Sequence, residues 1–371
     1  MSTVEQYLTD VLNAFDLGTE VETVERFGYG HINDTFLIRI RESDNTNSSF
    51  ILQRISGAAF KNPGELMSNV IGVSEYLGRM VEERGGDRRR EAMQFLRTRS
   101  GDAYHTDSEG CAWRAYRFID GVHCYETADT PELFAASGRA FGRFQRMLGG
   151  YDASTLFETI PHFHDTEDRL LKFKAAVEAD IMGRAKDCQD EIRFVMAHEA
   201  DCSVAMDALR RGILPLRVTH NDTKLNNVLI DNVTGEGICV IDLDTVMPGL
   251  AINDFGDSIR FGANHCAEDE QDLSKMFIDL DLYEAYARAF IEGADGSLTD
   301  AELEYMPWGA KLMTLECGMR FLTDHLSGDT YFHVQRENQN LDRCRTQFKL
   351  VSDMEQHWDE MNSIIARLRH R

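Results

Sequence analysis

Apolar side chains recur at Val4, Tyr7, Leu8, Val11, Leu12 and Phe15, the spacing of one helical face, so residues 3–16 read as an opening helix. The period then shortens. Val21 to Phe27 and Ile32 to Ile40 alternate apolar with polar positions, and Ser49 to Ile55 does the same, which predicts three strands with the first two joined across Gly28-Tyr29-Gly30-His31. Leu66, Val70, Val73 and Leu77 return to helical spacing, and Ala112 to Ile119 reads as another strand, followed by Asp120-Gly121 as a hinge. Beyond it, Leu133, Phe141, Phe144, Met147 and Leu148 form one stripe over 131–148. Further amphipathic helices are predicted near 165–187, 190–211, 281–293, 300–326 and 345–369. Only 228–243 interrupts them, with a strand, a Gly-containing turn at Asn232 to Gly237 and a returning strand. The charged stretch from Glu82 to Glu91, with Gly85-Gly86 inside it, reads as a solvated loop. The pattern predicts an α+β chain with a small β-rich lobe over 1–119 and a larger, mainly helical lobe over 120–371.

Composition narrows the function classes. A chain of 371 residues has length for two lobes with a substantial interior. A formal net charge of −24 argues against nucleic acid or an anionic membrane as a partner, since both call for basic patches. No run of eighteen apolar residues occurs, and the opening Met1-Ser2-Thr3-Val4-Glu5-Gln6 lacks the basic and then apolar pattern of a secretory signal, so a cytoplasmic setting is expected. The eight cysteines show no Cys-x-x-Cys spacing, which points to reduced, mostly buried thiols rather than a zinc or redox site.

The chemistry gathers in His220-Asn221-Asp222-Thr223-Lys224-Leu225-Asn226-Asn227 and in Ile241-Asp242-Leu243-Asp244. A carboxylate that orients a hydroxyl, an amide five residues on and an acid at the end of a nearby strand are the parts that phosphoryl transfer needs. If the 228–243 hairpin folds symmetrically about Thr234-Gly235, Asn227 faces Asp242, and two oxygen ligands meet where a magnesium ion bridging ATP phosphates would be held. Asp222 reaches the same spot as the residue that aligns the acceptor hydroxyl. Lys224 would neutralise charge growing on the transferred group. Asp244 is open between a ligand for a second ion and one for water. Gly28 and Gly30 either let the backbone approach phosphates or only turn a hairpin.

With a β-rich lobe, a hinge and a helical lobe carrying this hairpin, the chain resembles the aminoglycoside phosphotransferase and choline kinase group, which implies a protein-kinase-like bilobal fold. Gly28-Tyr29-Gly30-His31-Ile32-Asn33, His162-Phe163-His164-Asp165-Thr166, Val218 to Asn227, Asp254 to Gly262 and Glu316-Cys317-Gly318-Met319-Arg320-Phe321 resemble, within that group, the branch that phosphorylates N-acetylhexosamines at the anomeric position. That resemblance implies ATP and an amino-sugar acceptor, with Arg320 and Tyr331 on the sugar. It leaves His31 and Asn33 facing either ligand, and makes Asp254 a buttress of the catalytic loop. Arg117, Phe118 and Ile119 would lie along the adenine, where strand backbone at a lobe junction meets the base edge. Choline, homoserine or an aminoglycoside would fit the same fold, and a silent nucleotide- or sugar-binding protein is a further reading.

The chain departs from the kinase pattern at the third strand. A phosphate-pairing lysine is expected there, and Phe50-Ile51-Leu52-Gln53-Arg54 stands instead, with Gln53 at the lysine position. Either Arg54 or Lys224 compensates, or metal and backbone carry the phosphates; Asn69 is a neutral partner to consider for Gln53. His162 and His164 lie two apart with no cysteine or third histidine nearby, which favours a cleft-lining loop or a core pair over zinc.

Overall fold

A computed structural model of the chain describes residues 3–18, 20–28, 33–41, 46–128 and 130–369. Six strands, β1 (Glu20–Arg26), β2 (Asp34–Arg41), β3 (Asn47–Arg54), β4 (Phe95–Leu96), β5 (His105–Thr106) and β6 (Ala112–Arg117), form one antiparallel sheet in the order β1-β2-β3-β6-β4, with β5 also on β6. Alternation along these strands sorts their side chains by face. Phe36, Ile38, Ile40, Phe50, Leu52, Trp113 and Ala115 pack with Leu8 and Val11 of the opening helix, Thr3–Ala14, and with Phe15 just beyond it. Thr35, Gln53 and Arg114, opposite one another in register, share the other face.

The helix Pro63–Glu83 begins where Asn62 accepts from the N–H groups of Gly64 and Glu65, ahead of a proline whose fixed φ suits the first turn. It sends Leu66, Met67, Val70 and Val73 into the largest core, shared with Phe134, Phe141 and Phe144 of the helix Pro131–Met147 and with Tyr283, Tyr286 and Phe290 of the helix Leu280–Ala294. Those two helices approach closely through Gly142, where a Cβ would lie 2.0 Å from the Phe290 carbonyl oxygen. The expected α+β architecture is therefore present: an antiparallel sheet lobe and a larger, mainly helical one.

Element boundaries depart from the periodic reading where backbone chemistry intervenes. The helix expected over 300–326 divides into Asp300–Glu304 and Met306–Leu326, because Pro307 supplies no N–H and opens a new first turn. The regions 190–211 and 345–369 likewise divide, into Gln189–Ala197 and Val204–Arg210 and into Gln339–Gln356 and Trp358–Arg369. The stretch over 82–91 carries a short helix, Arg88–Glu91, capped by Asp87. No described helix is long and apolar enough to cross a membrane.

The central hairpin needs a correction. Strands β9 (Val228–Asp231) and β10 (Gly237–Val240) pair Val228 with Val240 and Leu229 with Cys239, and the Ile241 N–H donates to the Asn227 carbonyl at 2.9 Å. Asn227 thus stands opposite Ile241, one place short of the symmetric register. Asp231 explains the slip: its side chain accepts from the N–H groups of Val233 and Thr234, which tightens the turn, and the ladder shifts between Gly237 and Cys239. A short strand, β7 (Val122–His123), joins the outer edge of β9, and β8 (Arg217–Thr219) pairs with β11 (Met247–Gly249) beneath the loop that follows it.

Candidate active site

The loop after β8 is held by its backbone. Asp254 accepts the N–H groups of His220 at 2.9 Å and Asn221 at 2.8 Å, and Gln145 donates to the same carboxylate at 2.6 Å. Asp257 accepts the Thr223 N–H at 3.0 Å, and the His220 ring meets the Ile241 carbonyl at 2.9 Å. Asn221 adopts a left-handed φ of 66°, which short polar residues tolerate. With the backbone fixed from below, the Asp222 side chain projects from the loop. Its Oδ1 lies 2.9 Å from Lys224 Nζ and its Oδ2 accepts from Asn227 Nδ2 at 3.2 Å. The Asp222 charge raises the Lys224 pKa, so the ammonium stays charged.

Asp242 reaches this group by a different device from the one expected. The chain turns at φ 58° and ψ 61° there, immediately after β10. No described residue donates to its carboxylate. The residue is exposed along the cleft, yet desolvation by the protein packed around the carboxylate, reinforced by the charges of Asp244 and Asp222, pushes its pKa up to about 6. Asn227 spends its amide N–H on the Asp222 carbonyl at 2.8 Å and on the Asp222 carboxylate, which leaves its amide oxygen without a described donor. An acid in need of positive charge, a free amide oxygen and a second carboxylate make an oxygen donor set suited to a hard divalent cation.

Asp244 is placed otherwise. One oxygen pairs with Arg114 and the other accepts from Asn33 Nδ2 at 2.8 Å, while Asn33 Oδ1 accepts the Ser56 N–H at 2.9 Å. Arg114 also donates through Nε and Nη2 to Gln53 Oε1, at 3.0 and 2.8 Å, and Gln53 Nε2 donates to Thr35 at 3.0 Å. Gln53 therefore has an arginine for a partner, and the suggestion of Asn69 is corrected: Asn69 donates to the carbonyls of Phe157 and Val246 instead. Arg54 pairs with Asp34.

Gly28 sits at φ 75° in open space; Gly30 and His31 lie outside the described residues. At the end of β6, Arg117 stacks over Phe50, the Phe118 N–H donates to the Ser49 carbonyl at 3.0 Å, and Ile119 is buried. Phe118 also meets Phe27 edge-on at 5.5 Å, so an aromatic pair flanks the Gly28 turn.

The Arg320 guanidinium lies within 5.7 Å of the ring centres of Phe163, Tyr331 and Phe332, and its Nη2 is 3.4 Å from the Tyr331 hydroxyl. Asp324 accepts the N–H groups of Thr330, Tyr331 and Phe332, which fixes the loop carrying those rings; Tyr331 itself is 67% exposed. The two histidines of the 162–166 run separate. His162 is exposed beside Asp165, whereas His164 bridges the Asn221 carbonyl at 3.0 Å and the buried Glu316 at 2.9 Å. Burial would lower the His164 pKa, and the Glu316 charge and hydrogen bond outweigh it and raise it.

Reasoning from sequence missed Arg114 and the His164–Glu316 pair. An arginine between the apolar Trp113 and Ala115 in mid-strand was the available signal for the first. One further grouping of ligand type, His198, Asp201 and Glu355, is filled by the Lys311 ammonium, 2.8 Å from Asp201 and 2.7 Å from Glu355.

The profile of the family described as phosphotransferase enzymes matches residues 23–290. Similar folds include an aminoglycoside phosphotransferase from Alicyclobacillus acidocaldarius, at 13% identity and a TM-score of 0.60 over 98% of this chain and 96% of that one. A microcompartment-associated aminopropanol kinase matches at 15% and 0.57 over 98% and 99%, and a Plasmodium vivax ethanolamine kinase at 13% and 0.53 over 90% and 84%.

Proposed function

Because this chain belongs to the phosphotransferase enzyme family, we propose that it is an ATP- and magnesium-dependent kinase that converts N-acetylglucosamine or N-acetylgalactosamine to the 1-phosphate. The observation that carries the kinase reading is the Asp242 carboxylate, solvent-accessible and without a described donor, facing the charges of Asp222 and Asp244 near the free amide oxygen of Asn227. In this reading Asp222 accepts a hydrogen bond from the anomeric hydroxyl and aligns it behind the γ-phosphorus. The new O–P bond forms as the bond to the ADP oxygen breaks, and the proton passes to Asp222 late, since a loose transition state demands positioning more than a strong base. Lys224 neutralises the transferred group. Asn227 and Asp242 would hold magnesium, with Asp244, tied to Arg114 and Asn33, reaching an ion through a water, and the metal would supply charge compensation on the phosphate oxygens. Gly28 and Gly30 cover the phosphates, Gln53 lies beneath them, and Arg117, Phe118 and Ile119 border the adenine. The lobe division at 119/120 and a cytoplasmic setting belong to the same proposal.

The sugar assignment rests on Arg320. A guanidinium caged by three rings and facing the acceptor side offers donors to ring, hydroxyl and acetamido oxygens and repels an ammonium group. Tyr331 adds an apolar face and a hydroxyl, and His31 and Asn33 remain candidates for either ligand. The relatives named for aminoglycosides, aminopropanol and ethanolamine act on acceptors that carry such ammonium groups. A panel of free sugars, choline, ethanolamine, homoserine and an aminoglycoside, read by ADP release and phosphorus NMR, tests the assignment. We expect release with N-acetylhexosamines and an ester on C1. An ester on C6 would remove the anomeric assignment, and turnover with ammonium acceptors alone would remove the sugar.

A further inference from the structure

Among the described residues of 1–119, Arg114 is the one buried basic residue, at 2% exposure. It stands on β6 directly opposite Gln53 of β3, the position where a kinase of this pattern carries its phosphate-pairing lysine. Gln53 turns its carbonyl oxygen to the guanidinium and takes two of its N–H bonds, which fixes the plane of the group and aims Nη1 at Asp244, two residues from Asp242. Of the five N–H bonds that an arginine offers, these contacts use three, and no described residue accepts the other two. Three other basic side chains of the site are committed elsewhere. Arg54 pairs with Asp34, Lys224 with Asp222, and Arg117 stacks on Phe50. The cleft also holds three carboxylates, Asp222, Asp242 and Asp244, so a polyanionic ligand entering it needs a fixed cation on the sheet side.

We propose that Arg114 supplies the positive charge facing the nucleotide's α- and β-phosphates, delivered from β6 across Gln53 in place of a lysine on β3. Asp244 and Gln53 hold the guanidinium in that orientation. This inference rests on the kinase reading above.

The test is calorimetric binding of adenosine, AMP and ADP to the full chain and to Arg114→Gln, with melting temperatures alongside. The native protein should bind ADP far more tightly than adenosine. Arg114→Gln should weaken ADP at least tenfold while leaving adenosine within twofold. Equal losses for adenosine and ADP would mark Arg114 as a structural tie and overturn the inference, as would unchanged ADP affinity. A native chain that binds no adenine nucleotide would overturn the kinase reading itself. Should Arg114→Gln fail to fold, the native chain labelled with nitrogen-15 arginine decides, its Arg114 Nε–H resonance assigned by its loss in Arg114→Lys. A resonance that shifts with ADP and not with adenosine supports the proposal, and one indifferent to ADP overturns it.

Discussion

In the helical lobe, Asp222, Lys224 and Asn227 follow one another along a single loop and touch directly, and Asp242 arrives by one hairpin turn. In the sheet lobe, Thr35, Gln53 and Arg114 come from three strands, and Arg114 meets Asp244 from far along the chain. The two aspartates at the seam show what separates the regions. Asp242 has no described donor and is repelled by Asp244 and Asp222, a cost that a bound cation or proton relieves. Asp244, two residues on, has both oxygens taken by the sheet lobe. The first arrangement keeps charge available for chemistry, and the second spends charge on holding two lobes in register.

That contrast breaks first at Asp222. Asp222→Ala should lower turnover about a thousandfold, the scale of a lost positioned base, while the melting temperature stays near that of the native protein, because Asp254 and Asp257 carry the loop backbone. A rate within tenfold of native would remove Asp222 from the chemistry. Asp242→Asn should cost about a hundredfold or more in magnesium-dependent turnover and raise the melting temperature in the absence of metal, since it removes a carboxylate repelled by Asp222 and Asp244. Asp244→Asn should move stability the other way. It leaves the Arg114 charge short of its counter-ion, for which a loss of about 3 kcal/mol is typical, seen as a lower denaturant midpoint. Equal signs for the two variants would dissolve the distinction between them.

The same contrast explains what could be read from sequence. The grouping of Asp222, Lys224 and Asn227 was legible because the three are close in the chain and each type has a narrow chemical use. The hairpin was legible as an element and misread by one residue, since Asp231 tightens the turn through side-chain bonds that no alternation pattern reveals. Helix boundaries failed where a proline or a side-chain cap interrupts a continuous apolar stripe, as at Tyr305 before Pro307. Arg114 was invisible for a different reason. Its partner is set by strand order, β3 beside β6, and strand order depends on which edges find one another in three dimensions. Gln53 at the lysine position signalled that something was missing without saying from where it is supplied.

The His164–Glu316 pair qualifies the contrast, because the helical lobe too rests its catalytic loop on a contact distant in sequence. His164 joins the Asn221 carbonyl to a carboxylate that also accepts from Thr166 at 3.0 Å. Burial disfavours charge on both groups, yet their mutual attraction prevails: the pKa of His164 is raised and that of Glu316 lowered, against ordinary values of 6.5 and 4.5. A raised histidine contributes its full stability below the unfolded value and loses it as pH climbs through the folded one. A depressed glutamate contributes above its unfolded value. Both conditions hold between about 4.5 and 6.5, so the pair should stabilise the fold most in that window. His164→Gln should therefore lower the melting temperature by several degrees near pH 6, with the deficit shrinking as pH rises past the folded histidine value. Melting curves of both proteins across pH 5 to 9 measure the difference directly. A deficit that stays constant or grows with pH would mean that His164 acts as a neutral hydrogen-bond bridge, and the loop's foundation would then owe nothing to charge.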